Sequence, residues 1–157
     1  MIGTIGRLKA GPERELYDRY VDRAKALGRG LGFVGPETIE CYESKAGSPG
    51  ERKREEAAAL ASKSVRGGSI VMFDERGRSF SSQDFVDCLI RTRDDGASVL
   101  FLIIGGPDGL APDFRAEAAD VLAFGSATLP HQLVRILVAE QTYRAMTILS
   151  RHPYHRA

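Results

Sequence analysis

The run Val99-Leu-Phe-Leu-Ile-Ile104 is the most apolar in the chain, and it stops at Gly105-Gly-Pro-Asp-Gly109 before Pro112 opens a helical stretch. A strand built from such a run has no polar face to show to solvent, so it must be covered on both sides, as the strands of a parallel sheet are. The order strand, loop, helix recurs along the chain. Ser69-Ile-Val-Met-Phe-Asp74 is a compact apolar run followed by a turn-like ERGRS segment, and Ser81 or Ser82 is placed to cap a helix through Arg93. Asp120 to Phe124 reads as a last strand, Gly125-Ser-Ala-Thr-Leu-Pro130 as a loop, and His131 to Ser150 as a long closing helix.

Upstream, Ile2 to Leu8 reads as a first strand, and Leu16, Tyr17, Tyr20, Val21, Ala24 and Leu27 fall at the spacing of an amphipathic helix that Gly28 and Gly30 stop. Thr38 to Tyr42 follows as a strand, and Glu51 to Ser64 as a charged helix ended by Gly67 and Gly68. Strands alternating with helices predict an α/β fold with a mainly parallel sheet flanked by helices. With 157 residues, 43% of them hydrophobic, the chain carries apolar material for one packed core, so residues 1–157 are expected to form a single domain.

No run is long and apolar enough to span a membrane, and the N-terminal MIGTIGRLKAG lacks the apolar centre of a signal peptide, so a cytoplasmic protein without membrane contact is expected. Cys41 and Cys88 stand far apart without nearby histidines, which predicts buried thiols rather than a zinc site or a disulfide. A net charge of +1 does not mark a nucleic-acid binder, but its distribution is uneven. From Val121 onward Glu140 is the only acid, against Arg135, Arg144, Arg151 and Arg156, and the same stretch holds His131, His152 and His155. The apolar residues of the closing helix cover so much of its surface that it is expected either to be deeply buried or to lend a face to a partner subunit.

Ligands of open α/β sheets bind beyond the carboxyl ends of the strands, so the loops after Phe73, Ile104 and Phe124 are expected to be neighbours on one edge. The crowding of glycine in Gly105 to Gly109 suits a close approach of backbone to a ligand, though a tight turn is an equal reading. That loop has neither the spacing of a dinucleotide fingerprint nor the Lys-Ser/Thr of a phosphate-binding loop. In the third loop, small residues leave main-chain groups open to a purine edge, while Thr128 or His131 offers the plainer role of a helix cap. The tail His152-Pro-Tyr-His-Arg156 brings together groups that stack on bases, exchange protons near neutral pH and pair with phosphate. Metal binding is not expected, since only His131 remains as a further histidine and no acid stands near the tail.

Three segments carry a family resemblance: GGPDGL at Gly105 to Leu110, ATLPHQLVRILVAEQTYRA at Ala127 to Ala145, and HPYHR at His152 to Arg156. They resemble the RlmH family, bacterial methyltransferases of large-subunit ribosomal RNA that methylate N3 of a pseudouridine. The likeness follows the chain in length and order, loosely over the first 60 residues and specifically in the C-terminal half. It implies a SPOUT-type fold whose C-terminal part is threaded into a trefoil knot, a homodimer, and S-adenosylmethionine as cofactor. By position, the cofactor contacts it implies fall on Phe73, Gly105 and the run Phe124, Gly125, Ser126, Ala127, Thr128 and Leu129, on the same three loops. The substrate it implies is ribosomal RNA in the assembled ribosome.

An imide nitrogen is a poor nucleophile while protonated, so methylating it calls for a nearby base or a stabilised imide anion. His152, Tyr154 and His155 are the candidates for the base, and Arg156 or Arg144 for stabilising the anion or anchoring a phosphate. Arg7, Lys9 and the run Glu51-Arg-Lys-Arg54 are candidates for docking, the last equally readable as a solvated helix face. The competing readings are a non-enzymatic ribosome-associated factor of this fold, a same-fold methyltransferase of transfer RNA, and a nucleotide-binding enzyme of Rossmann type.

Overall fold

A computed structural model describes residues 1–155 of the chain. In order, its elements are β1 (Ile2–Ile5), α1 (Pro12–Arg29), β2 (Thr38–Cys41), α2 (Pro49–Ala61), β3 (Ser69–Ser79), α3 (Ser82–Asp94), β4 (Leu100–Ile104), α4 (Pro112–Ala116), β5 (Asp120–Ala123) and α5 (His131–Leu149). The sheet runs β2-β1-β4-β3-β5 with every pairing parallel, so all five strands end on one edge. That edge receives the three loops that the sequence analysis singled out.

Alternation along the strands divides the core between the two faces of the sheet. Val71, Phe73, Leu102 and Leu122 point to the side of α1, α3 and α5, while Met72, Phe101 and Ile103 point to the side of α2 and α4. Ser48 and Glu51 close a capping box at the start of α2, and Ser81 and Asp84 close another at α3. The Ser48 cap explains why α2 begins at Pro49 rather than at the expected Glu51.

The ERGRS segment corrects its reading as a turn. β3 kinks between Phe73 and Arg78, where the register against β5 shifts, and then pairs again through Arg78 and Ser79 with Leu122 and Ala123. The Arg78 guanidinium grips both Asp120 carboxylate oxygens across the two strands, which favours continued pairing after the bulge.

α5 is covered largely by its own chain. Ile136, Val138, Ala139, Tyr143 and Met146 are buried in the cluster that includes Tyr17, Val21 and Ala24 of α1, so its apolar width does not by itself demand a second copy. Leu133, 45% exposed, is the large apolar side chain that α5 leaves out. The same helix buries a cation: Arg135, 2% exposed, donates through Nη2 to the carbonyls of Ile5 and Gly6 and lies with Nη1 3.5 Å from Glu40. This ties the first turns of α5 to the ends of β1 and β2. No helix among the described residues is long and apolar enough to cross a membrane.

Candidate cofactor cavity and C-terminal tail

A cavity of about 370 Å³ opens at the carboxyl ends of β3, β4 and β5. This is where a parallel sheet with helices on both faces leaves room for a ligand, and the volume falls within the range of small-molecule sites. Its walls come from the segments Phe73 to Arg76, Ile104 to Leu110 and Leu122 to Leu129, with Ser126 left out, and from Pro130, His131 and Val134 where α5 begins. Lys53 reaches it from α2.

Of the positions expected at the cofactor, Phe73, Gly105, Phe124, Gly125, Ala127, Thr128 and Leu129 line this cavity. Ser126 is exposed and does not line it. The Phe73 ring is buried and stacks on Phe124 at 5.4 Å with 9° between planes. The pair joins Phe80 and Phe85 in an aromatic block beneath the cavity floor.

The glycines act differently from one another. A Cβ at Gly105 would sit 2.9 Å from Leu110 Cγ and 3.2 Å from the Gly109 carbonyl carbon, so the absent side chain there lets the loop close on itself at the cavity wall. Gly125 is the opposite case, with φ +126° and nothing within 4 Å of its missing Cβ. Neither cap proposed for α5 forms, since its N-cap position is Pro130 without a side-chain bond, and the Thr128 hydroxyl reaches Glu75 at 3.3 Å instead.

The run Glu51 to Arg54 is not simply a solvated face. Arg52 donates to both carboxylate oxygens of Asp108, at 2.6 and 3.2 Å, and to the Ala46 carbonyl at 3.1 Å, so α2 clamps the glycine-rich loop. The Arg52 guanidinium holds the Asp108 carboxyl below its ordinary range. One turn later Glu56, 5% exposed, accepts from the Ser44 N–H at 3.0 Å and sets its other oxygen under Gly106, where a Cβ would stand 2.8 Å away. Burial pushes this carboxyl up. At the mouth, Asp74 and Glu75 stand with Lys53 and Arg76, so both signs of charge are available to a zwitterionic ligand. Burial, and after it the Arg135 charge, pushes the His131 imidazole below its ordinary value, which favours the neutral ring.

The tail lies elsewhere. His152, Tyr154 and His155 do not line the cavity, and Arg156 lies outside the described residues. The Tyr154 ring packs on Tyr143 at 4.7 Å, and its hydroxyl donates to Glu140 Oε1 at 3.1 Å. Arg144 binds the same oxygen through Nε at 2.9 Å and stands 5.1 Å from the Tyr154 ring centre. Burial, then the neighbouring Tyr20 and Glu140, raises the Tyr154 phenol, which keeps it protonated and a donor. His152 accepts from the Tyr154 N–H at 3.2 Å through Nδ1, while Nδ1 of His155 is buried without a partner among the described residues. From Val134 at the cavity to Tyr143 beneath the tail, α5 rises roughly 14 Å.

The signals that the sequence did not reveal are Lys53, Asp74, Glu75, Arg76, His131 and Val134. Helical spacing places Lys53 one residue from the clamp and puts His131 and Val134 on one face of the first turn of α5, but only the tertiary fold brings those faces to the cavity. Among the described residues, no group of three or more His, Cys, Asp or Glu is arranged to hold a metal ion. Cys41 and Cys88 are free and buried.

A parallel sheet with a cofactor-sized cavity at its carboxyl edge defines a class of ligand-binding α/β proteins, and the family model that matches residues 1–155 is described as "Predicted SPOUT methyltransferase". The chain is 53% identical over 153 residues to the ribosomal RNA large subunit methyltransferase H of Beijerinckia indica, covering 98% of this chain and 96% of that one. It is 51% identical over 157 residues to the protein of the same name from Methylobacterium radiotolerans, covering 99% and 96%. Among solved structures it is similar to the SpoU methyltransferase AviRb of Streptomyces viridochromogenes in complex with the cofactor AdoMet, with TM-score 0.42, 17% identity, and coverage of 92% of this chain and 57% of that one. The chain belongs to the ribosomal RNA large subunit methyltransferase H family of SPOUT methyltransferases.

Proposed function

We propose that the chain is an S-adenosylmethionine-dependent methyltransferase that acts on N3 of a pseudouridine in large-subunit ribosomal RNA within the assembled ribosome. The observation that carries this reading is the cavity at the ends of β3, β4 and β5, built from the loops that the family resemblance assigns to the cofactor. Its lining suits the ligand in kind. Ile104, Leu110, Leu129 and Val134 offer apolar surface to a purine ring, and the open backbone around Gly125 offers main-chain groups to the purine edge. Asp74 and Glu75 suit the cationic groups of the cofactor, while Lys53 and Arg76 suit its carboxylate.

When bound, the cofactor would supply an electrophilic methyl group on a sulfonium, and the acceptor nitrogen would have to give up its imide proton to a base. The protein's part is to align donor and acceptor and to exclude water. Phe73, Gly105, Phe124, Gly125, Ala127, Thr128 and Leu129 hold the donor in this reading, and Ser126 lies between them in the same loop without lining the cavity. His152, Tyr154, His155 and Arg156 serve the acceptor side in this reading. A cytoplasmic homodimer and the knotted threading of the C-terminal part complete the reading, with the exposed Leu133 in support of a subunit contact.

Ala127→Phe tests it, because it fills the cavity from an exposed loop position without asking for a rare backbone conformation. Calorimetric titration with S-adenosylmethionine is expected to show saturable binding to the native chain and a loss of at least about tenfold in affinity for the variant, with an unchanged circular dichroism spectrum. Equal affinity in both would place the cofactor outside the cavity.

A further inference from the structure

A buried carboxyl that methyl transfer does not use lies behind the cavity wall. Glu56 of α2 is 5% exposed. Its Oε1 accepts from the Ser44 N–H at 3.0 Å, while Oε2 is buried without a hydrogen-bond partner among the described residues. Over Oε2 lies Gly106, whose missing Cβ would stand 2.8 Å from that oxygen and 3.0 Å from Ile5 Cγ2. Where a methyl group does not fit, neither does a water, so the loop backbone seals the oxygen from solvent.

The charges around Glu56 oppose its ionisation. Asp108, in the glycine-rich loop, and Glu43, in the segment before α2, both act on it as like charges. Glu55 stands next to it on α2 and accepts from the Ser44 hydroxyl, and at this point β1 offers the apolar Ile5. Arg52 is the cation that favours the ionised form, but its guanidinium is committed to both oxygens of Asp108 and to the Ala46 carbonyl. Lys53, the next residue of α2, faces the cavity and Asp108. In such a place an unpartnered hydroxyl costs less than an unpartnered charge, so the neutral acid is the form that fits. Burial raises the carboxyl in the same direction.

The loop is the part that gives way when the charge forms. The Gly109 N–H donates to the Gly106 carbonyl at 2.9 Å and closes the turn into one unit, and that unit walls the cavity together with Gly105 and Leu110. An ionised Oε2 requires donors or water, and neither reaches it unless Gly106 lifts.

We propose that Glu56 is a positioning residue that stands as a neutral acid beneath Gly106, seats the glycine-rich loop for the cofactor, and releases that loop on ionising. Its contribution is complete while the carboxyl keeps its proton and is lost as pH rises through its titration. The effect on binding rests on the reading of the cavity as the S-adenosylmethionine site, whereas the effect on the loop does not.

The test compares the native chain with Glu56→Gln, which keeps an acceptor for Ser44 and the shape of the neutral acid but cannot ionise. NMR follows the Glu56 carboxyl carbon and the Gly106 amide, and calorimetry gives Kd for S-adenosylmethionine, from about pH 5 to about pH 9, the span in which buried glutamates titrate. Glu56 is expected to titrate above the ordinary carboxylate range, with the Gly106 amide shifting at the same midpoint in the native chain and not in the variant. The ratio of native to variant Kd is expected to be near one at the acid end and to reach about tenfold at the alkaline end. Titration of His131 or of the cofactor itself cancels in that ratio. A Glu56 that titrates in the ordinary range, or a Gly106 amide indifferent to it, would overturn the proposal, and both are read in the native chain without the variant. A flat ratio would overturn it too, as would weaker binding by the variant at the alkaline end, the mark of a carboxylate that attracts the cationic cofactor. Failure of the native chain to bind cofactor at any pH would remove the reading of the cavity, and the Gly106 amide would still decide whether Glu56 seats the loop.

Discussion

Arg135 is charged yet only 2% exposed, and burial lowers its guanidinium from the ordinary value. It persists because the Ile5 and Gly6 carbonyls and the Glu40 carboxylate surround it, although Nε and Nη1 lack hydrogen-bond partners among the described residues. Glu40 also holds Arg14 at 2.8 Å, so removing Arg135 strands the carbonyls and opens a void more than it strands the acid. Arg135→Ala is expected to cost about 2–4 kcal/mol in denaturant unfolding, and Arg135→Met less, since it refills the volume. An unchanged midpoint for the alanine variant would mean that this cation holds nothing. The sequence displayed Arg135 as one more basic residue near the C-terminus, because nothing in its local pattern reveals that β1 ends against it. Gly105 was legible as a glycine of the loop, but the packing of Leu110 against it was not.

Among the elements, the run after Ser48 carries the most that local pattern could not show. A charged helix was readable from its composition, and Arg52 looked equally like a solvated face until the fold set Asp108 opposite it. The clamp matters because a glycine-rich loop has little side-chain packing of its own to hold its shape. Arg52→Ala is expected to weaken S-adenosylmethionine binding by about fivefold with little change in unfolding midpoint, and Arg52→Lys to restore only part, since it cannot pair with both oxygens. Calorimetry on the three proteins checks this, and full affinity in the alanine variant would show that the loop keeps its shape unaided. The native clamp should persist as pH falls through the ordinary aspartate range and release only below it, because Asp108 is held low. The strands from β3 to β5 were legible as apolar runs, whereas the pairing of Arg78 and Ser79 beyond the bulge was hidden by the charges and glycine of the intervening segment.

For the whole molecule, the parallel order of the strands and the position of the cavity at their carboxyl edge followed from the alternation of strands and helices. The strand order β2-β1-β4-β3-β5 did not, since periodicity carries no information on neighbours. The tail shows the same limit: its residue types were legible as chemistry, but only the fold sets Tyr154 against Tyr143 and Glu140, away from the cavity. The direct test follows labelled methyl from S-adenosylmethionine into intact ribosomes, separated subunits and transfer RNA, with the modified nucleoside identified by mass spectrometry. The account predicts N3-methylpseudouridine in large-subunit ribosomal RNA from intact ribosomes. Label in transfer RNA alone, or no label in any RNA despite saturable cofactor binding, would contradict it.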